Sequence, residues 1–175
     1  MTADPRTNFE RERRFLVSDA SIVNGWPWVL ITQAYLWTAQ GYAARVRLIQ
    51  AEAAEGGLRD VDATYAIKGP RIGDERFEAE SKLPDFDVAR EIIRLCKTVI
   101  RKRRYQVIDR EGWDVDVFLD ENDGLIIAEL EGAESRGVRR PEWCAVEVTT
   151  IDRFNNEELA FAPFGRWSPE QRLGI

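Results

Sequence analysis

Charged and apolar residues alternate along many short segments of this chain, beginning with NFERERRFLV at residues 8–17. Alternate side chains of a strand point to opposite faces, so Glu10, Glu12 and Arg14 share one face of this segment. Two carboxylates and a guanidinium side by side cannot form a dry core, because buried charges need a counter-charge, a metal ion or water. The pattern therefore predicts a first strand with one fully charged face.

The same alternation recurs further along the chain. It predicts strands over residues 8–17, 29–36, 42–50, 62–69, 75–83, 99–108, 112–120 and 124–132, with a short last strand over residues 144–150. Proline cannot donate to a strand ladder, so the fourth strand is expected to stop at Gly69-Pro70.

The apolar period changes after Pro84, where apolar residues recur at helical spacing. Residues 85–97 are therefore predicted to form a helix, and its apolar stripe must pack on the outer face of the sheet. A helical turn is predicted over residues 153–160. Seven or eight strands in hairpin order plus helices indicate an α+β fold, an antiparallel β-barrel with helices packed outside.

A closed barrel can place its charged faces inside, along a wet interior. The inward candidates are the bases Arg14, Arg45, Arg47, Lys68, Arg76, Lys102 and Arg104, and the acids Glu10, Glu12, Glu78, Glu80, Asp114, Asp116, Glu129, Glu131 and Glu147. Guanidinium groups bind phosphate bidentately, and carboxylates among them would repel phosphate unless a divalent metal lay between. The set predicts phosphoryl or nucleotidyl transfer from a triphosphate. Any single pair of this kind is also typical of a solvated strand face.

The composition of the chain limits which partners, metal ligands and catalytic groups are possible. The 175 residues suit one domain and carry a formal net charge of −6, which argues against nucleic-acid binding as the main role. The chain has no histidine, so a metal site must use oxygen ligands, as magnesium, manganese or calcium prefer, and histidine base catalysis is excluded. Cys96 and Cys144 lie far apart and are interpreted as buried free thiols.

No segment of the chain has the composition of a membrane span or a signal peptide. Apolar runs stay well below the roughly 20 residues needed to cross a bilayer, and MTADPRTN at the N-terminus has no apolar signal region. We therefore expect a cytoplasmic protein of bacterial type, without a membrane or nucleic-acid partner.

Several motifs together resemble the CYTH family of triphosphate tunnel metalloenzymes. ERERRFLV is similar to the family hallmark Glu-x-Glu-x-Lys, and further segments match in order: ITQAYL, ARVRL, YAIKGP, RFEAE, RKRRY, WDVDVFLDENDGLIIAELE and PEWCAVEVT. The resemblance covers roughly residues 9–160. It implies an eight-stranded antiparallel tunnel domain at residues 8–162 followed by a C-terminal tail at 163–175. The family includes class IV adenylate cyclases, thiamine triphosphatases and inorganic tripolyphosphatases.

The resemblance also implies roles for individual residues. The metal-binding carboxylates are Glu10, Glu12, Glu129 and Glu131, with Asp116 and Glu147 as helpers. The phosphate-binding residues are Arg45, Arg47, Lys68, Lys102 and Arg104, with Arg76 as a further tunnel residue. The cofactor is expected to be Mg²⁺ or Mn²⁺, and Glu10, Glu12 and Arg14 are expected to be catalytic.

One residue departs from the family hallmark, because Arg14 stands where the lysine is expected. Arginine stays protonated at working pH and cannot accept a proton from water. If the lysine helps to activate the nucleophile, Arg14→Lys should keep or raise hydrolysis.

The expected reaction is hydrolysis of inorganic tripolyphosphate to pyrophosphate and phosphate. A bare triphosphate needs no pocket for an organic group, which makes it the simplest ligand of a charged tunnel. The alternatives are hydrolysis of thiamine triphosphate or a nucleoside triphosphate, cyclisation of ATP as in class IV adenylate cyclases, and non-catalytic binding of polyphosphate or nucleotide. The expected partner is a small-molecule triphosphate, and a homodimer is an open expectation.

Overall fold

The computed structural model describes residues 8–107, 112–132, 135 and 137–173. The strands are β1 (Phe9–Val17), β2 (Trp28–Ala39), β3 (Tyr42–Glu52), β4 (Leu58–Ile72), β5 (Glu75–Lys82), β6 (Val99–Val107), β7 (Trp113–Phe118), β8 (Ile126–Glu131) and β9 (Cys144–Glu147). The α-helices are α1 (Phe86–Leu95), α2 (Asn156–Phe161) and α3 (Pro169–Arg172). Residue 108, the predicted end of the sixth strand, lies outside the described residues.

Eight of these strands close into an antiparallel barrel. The hydrogen-bonded order is β5-β4-β3-β2-β6-β7-β8-β1, and a further pairing of β1 with β5 closes the ring. The first half of β1 pairs with β5, and its last residues pair with the short β9 along the same edge. The predicted α+β fold with an eight-stranded antiparallel barrel is confirmed.

Strand β4 continues beyond Gly69-Pro70, so the predicted end of the fourth strand is wrong. The register of β4 and β5 shifts between Lys68 and Arg71, and Arg71 then lies opposite Arg76. A bulge of this kind accommodates a proline, because the extra residue leaves the ladder without breaking the strand. The bulge also reverses which residues of the strand face inward, so that Arg71 and not Pro70 follows Lys68 on the inner face.

The outer face of the barrel carries two apolar clusters. One contains Phe15, Trp113, Val115, Ala128 and Leu130. The other lies beneath α1, where Ala89 packs on three apolar residues of β3 and β4: Val46, Leu48 and Ala63. The predicted packing of this helix on the outer face of the sheet is confirmed.

The chain after β9 closes one end of the barrel. Phe154, Leu159, Phe164 and Trp167 form one buried cluster with apolar residues at the ends of the strands, among them Phe118 and Ile127. The Trp167 ring packs edge-on against Phe154 with 5.0 Å between centroids, and its Nε1 donates to the Ala162 carbonyl at 2.8 Å. Phe164 and Trp167, both within the predicted tail, are thus part of the core. Among the described residues, every helix is too short or too polar to traverse a lipid bilayer.

Candidate functional site

Most of the predicted site residues meet in one cavity inside the barrel. Antiparallel register places Arg14 opposite Glu129, Glu12 opposite Glu131, and Lys68 opposite Glu78, so the charged faces of neighbouring strands coincide. The predicted residues that line this cavity are Glu12, Arg14, Arg45, Arg47, Lys68, Arg76, Arg104, Glu129 and Glu131. The interior of the barrel is therefore a charged tunnel.

Three carboxylates gather on the wall formed by β1 and β8. Each of Glu12, Glu129 and Glu131 offers an oxygen, and these oxygens lie within 4.8 Å of one another. Glu12 and Glu129 are buried, whereas Glu131 is exposed. An all-oxygen group with this spacing fits a hard divalent cation such as Mg²⁺ or Mn²⁺.

The surroundings of these carboxylates differ. Although Glu131 as a whole residue is exposed, protein atoms surround its carboxyl group, and this local desolvation, with the Glu129 carboxylate next in importance, raises the pKa of Glu131 to about 7. Burial alone would also raise the pKa of Glu129, but Lys102 and Arg104 outweigh it and lower that pKa. Among the described residues Glu131 has no ion pair, so a bound cation would supply the counter-charge that it lacks.

The other three predicted metal ligands lie apart from this group. Glu10 accepts from Lys68 Nζ at 2.7 Å, and Asp116 is held between Lys102 and Arg104. Glu147 is in register with Phe15, which faces outward, and its partly exposed carboxylate pairs with Arg13 at 3.0 Å. Glu147 therefore lies outside the tunnel, contrary to its prediction as an inward-facing residue, and apart from the three grouped carboxylates.

Two of the predicted phosphate-binding residues are paired with carboxylates of β5. Arg45 contacts Glu78 at 3.0 Å and Glu80 at 2.5 Å. Lys68 contacts Glu78 at 3.0 Å as well as Glu10. A phosphate bound by either cation would therefore compete with these carboxylates.

Arg47 is different, because it forms no ion pair with any described residue. Its Nε donates to the Gln33 side chain at 2.7 Å. Burial, together with the neighbouring cations Arg45 and Arg104, lowers the pKa of Arg47 to about 10. A buried guanidinium in a positive environment is suited to an incoming anion.

Lys102 does not line the cavity, although it was predicted to bind phosphate. Both Lys102 and Asp116 have fully buried side chains, and they are paired with each other. Arg104 does line the cavity, where it contacts Asp116 and Glu129. Lys102 thus lies inside the barrel next to the cavity, where it pairs with Asp116.

Arg14 binds the chain segment that closes the tunnel. Its two terminal nitrogens donate to the Phe154 carbonyl at 2.9 Å, the Thr149 carbonyl at 2.9 Å and the Asn155 side chain at 2.7 Å. Asn155 precedes α2, yet it makes no side-chain cap because its oxygen accepts from Arg14. A single lysine ammonium cannot span these acceptors as the guanidinium does, so the geometry favours a structural role for Arg14 that Arg14→Lys would weaken.

Several residues of the cavity were not predicted from the sequence. They are Tyr35, Arg71, Asn155, Asn156 and Glu157. Arg71 was missed because the bulge reverses the alternation. Asn155, Asn156 and Glu157 were missed because the helical turn that carries them gave no sign that it would enter the barrel. Glu157 is buried and contacts Arg76 at 2.5 Å.

The enclosed cavity is small, about 30 Å³, which is room for roughly two water molecules. The side-chain pairs described above occupy the rest of the tunnel. Paired side chains line this space, so the oxygens of a bound triphosphate would compete with the carboxylates for the guanidinium groups.

Comparison with known proteins places the chain in a family. No family model matches it. It is 34% identical over 160 residues to an inorganic triphosphatase of Acetivibrio thermocellus, covering 89% of this chain and 95% of that protein. The chain belongs to the CYTH triphosphate tunnel family. Among solved structures, the inorganic triphosphatase NE1496 matches this CYTH chain with a TM-score of 0.53 and 23% identity, over 86% of this chain and 93% of that one. That likeness concerns the fold.

Proposed function

We propose that this chain is a metal-dependent triphosphatase that hydrolyses inorganic tripolyphosphate to pyrophosphate and phosphate. One observation carries the proposal: the group of Glu12, Glu129 and Glu131 faces the same cavity as the guanidinium groups of β3 to β6. Carboxylates for a divalent cation and guanidiniums for phosphate oxygens are the two sets of groups that phosphoryl transfer requires. The proposal is also supported by the match to the Acetivibrio protein, which is named an inorganic triphosphatase and is aligned over 95% of its length.

The residues of the chain have separable roles in this reaction. Glu12, Glu129 and Glu131 would hold Mg²⁺ or Mn²⁺, which neutralises phosphate charge and polarises the phosphoryl group under attack. Arg45, Arg47 and Arg104 bind phosphate oxygens and align the chain of phosphates. Lys68 and Arg76 contribute positive charge from β4 and β5. Water then attacks the terminal phosphorus, the bridging P–O bond breaks, and the released pyrophosphate takes up the proton.

The polar lining of the cavity favours an inorganic substrate over one with an organic group. Among its described lining residues, Tyr35 is the one aromatic side chain, and it is buried with its hydroxyl accepting from Gln33 at 3.1 Å. Thiamine or a nucleoside bound inside would need an apolar or stacking surface. Tripolyphosphate needs charge alone.

The direct test measures phosphate release from tripolyphosphate, ATP and thiamine triphosphate in parallel, with magnesium, manganese or chelator. The expected result is rapid, metal-dependent release from tripolyphosphate and much slower release from the other two. Equal or faster phosphate release from ATP or thiamine triphosphate would contradict the proposal that tripolyphosphate is the preferred substrate. Tight calorimetric binding of tripolyphosphate without turnover would instead identify a binding protein, and formation of cyclic AMP from ATP would identify a cyclase.

We further propose, from the sequence, that the protein is cytoplasmic, has no nucleic-acid or membrane partner and can form a homodimer, and that its tunnel domain spans residues 8–162 and its tail residues 163–175. The apolar core formed by Phe164 and Trp167 adds part of the latter segment to the barrel.

A further inference from the structure

Arg71 reaches the tunnel by way of the bulge in β4. The register shift after Lys68 places it opposite Arg76, on the inner face, and its side chain is 6% exposed. It lines the same cavity as the three grouped carboxylates. Arg71 therefore adds a cation to the tunnel that the alternation of the sequence does not predict.

Most of the hydrogen-bonding capacity of Arg71 is unused. One terminal nitrogen contacts Glu12, whereas the Nε and the other terminal nitrogen are buried without a partner among the described residues. Unpaired buried donors are costly, and a planar guanidinium fits a tetrahedral phosphate through two parallel hydrogen bonds. The unpaired donors of Arg71 thus indicate a phosphate ligand.

The neighbouring Arg76 lacks this freedom. Its Nε donates to the Gly69 carbonyl at 2.6 Å, and a terminal nitrogen contacts Glu157 at 2.5 Å. Both the Nε and a terminal nitrogen of Arg76 are consequently occupied, whereas two nitrogens of Arg71 are free to bind a ligand. The partner that Arg71 does have, Glu12, is itself one of the three carboxylates suited to a cation.

We propose that Arg71 binds substrate phosphate and that Glu12 is its partner only while the cation site is empty. When Glu12 takes a divalent cation, Arg71 loses its counter-charge and turns its donors to phosphate. Arg71 thereby couples the two ligands: it competes with the cation before substrate arrives and binds substrate afterwards. This inference rests on the proposed function for the identity of the anion.

The coupling predicts opposite effects of one substitution on two affinities. In Arg71→Gln the cation no longer competes with a guanidinium for Glu12, so the phosphate-free protein should bind Mn²⁺ about three- to tenfold more tightly. The same variant should bind a methylene-bridged, non-hydrolysable triphosphate analogue about tenfold more weakly in the presence of Mn²⁺, because a charge-assisted hydrogen-bond pair is lost. A merely structural role would weaken both.

Titration of free Mn²⁺ by electron paramagnetic resonance measures the first affinity, and calorimetry with the analogue measures the second. Arg59→Gln is the matched control, since it removes an exposed arginine of the same strand and should change neither. Arg71→Lys provides a second variant if the glutamine protein is unstable, with smaller changes of the same signs. Opposite shifts support the inference, and any other combination overturns it. Because neither measurement involves turnover, failure of tripolyphosphate hydrolysis would be recognised separately.

Discussion

The same Glu-x-Glu spacing has different consequences on two sides of the tunnel. On β5, Arg45 contacts both Glu78 and Glu80, and although burial would raise the pKa of Glu80, the arginine outweighs it and lowers that pKa. On β8, Glu131 has no such partner among the described residues, and its pKa is raised.

The cause of this difference lies in the neighbouring strands. Strand β5 pairs with β4, and this pairing places Lys68 opposite Glu78. Strand β8 pairs with β1, and this pairing places Glu12 opposite Glu131. Glu80, beside Arg45, is neutralised within the protein, whereas Glu131, beside Glu12, is left for an external cation. The spacing of a motif thus does not define its role until its strand neighbours are known.

The largest expected effect separates the two sides directly. Glu131→Gln removes an oxygen ligand from the grouped carboxylates, and we expect metal-dependent hydrolysis to fall by at least about 100-fold. Glu80→Gln removes a carboxylate of the same spacing from the other side and should leave the metal requirement unchanged. Glu147→Gln tests the carboxylate that lies outside the tunnel. Steady-state rates across a magnesium titration provide the measurement, and equal losses in all three variants would contradict the comparison.

Substitution of Arg47 tests whether the cations of the tunnel bind phosphate. Because no described carboxylate pairs with it, Arg47 can bind phosphate without first leaving a partner. Arg47→Gln should raise the KM for tripolyphosphate by about 10- to 100-fold, the range of a hydrogen bond to a charged group. The partly exposed Arg101→Gln serves as control. A KM that stays constant while kcat falls would show that Arg47 acts in the chemical step instead.

The alternation in the sequence was sufficient to predict the barrel, the outer helix and most of the tunnel lining. The prediction succeeds because alternate side chains of a strand point to opposite faces of the sheet, so the sequence pattern shows which residues face inward. It fails at Arg71, where a bulge shifts the period, and at Glu147, where the alternation continues but the strand lies beside the barrel wall. It also cannot place Glu157, because that residue enters the tunnel from a helix.

An intermediate effect is expected at Arg14, which joins the first strand to the closing segment. Arg14→Lys keeps the charge but loses at least two of the three hydrogen bonds to residues 149–155. We expect kcat to fall about tenfold and the melting temperature to drop, since each lost bond to a buried charged group weakens the closure. Arg13→Lys, on the outer face, should have a smaller effect on both. Undiminished activity in Arg14→Lys would restore the simpler view that only the charge matters.

The smallest expected effect concerns pH and the free energy of unfolding. In the folded protein the pKa of Glu131 is about 7, compared with a reference of 4.5. Between these values the unfolded chain is ionised while the folded carboxyl keeps its proton, so this residue lowers stability progressively as pH rises from 4.5 to about 7. Urea unfolding measured in chelator should therefore show that the free energy of unfolding declines less with rising pH in Glu131→Gln than in the unaltered protein.

Glu80→Gln should change the pH dependence in the opposite sense, because the pKa of Glu80 is lowered. The stabilisation that Glu80 gives is lost toward acid pH in the unaltered protein and is absent from the variant. Identical pH profiles for the two variants would show that the carboxylates of β5 and β8 share one environment.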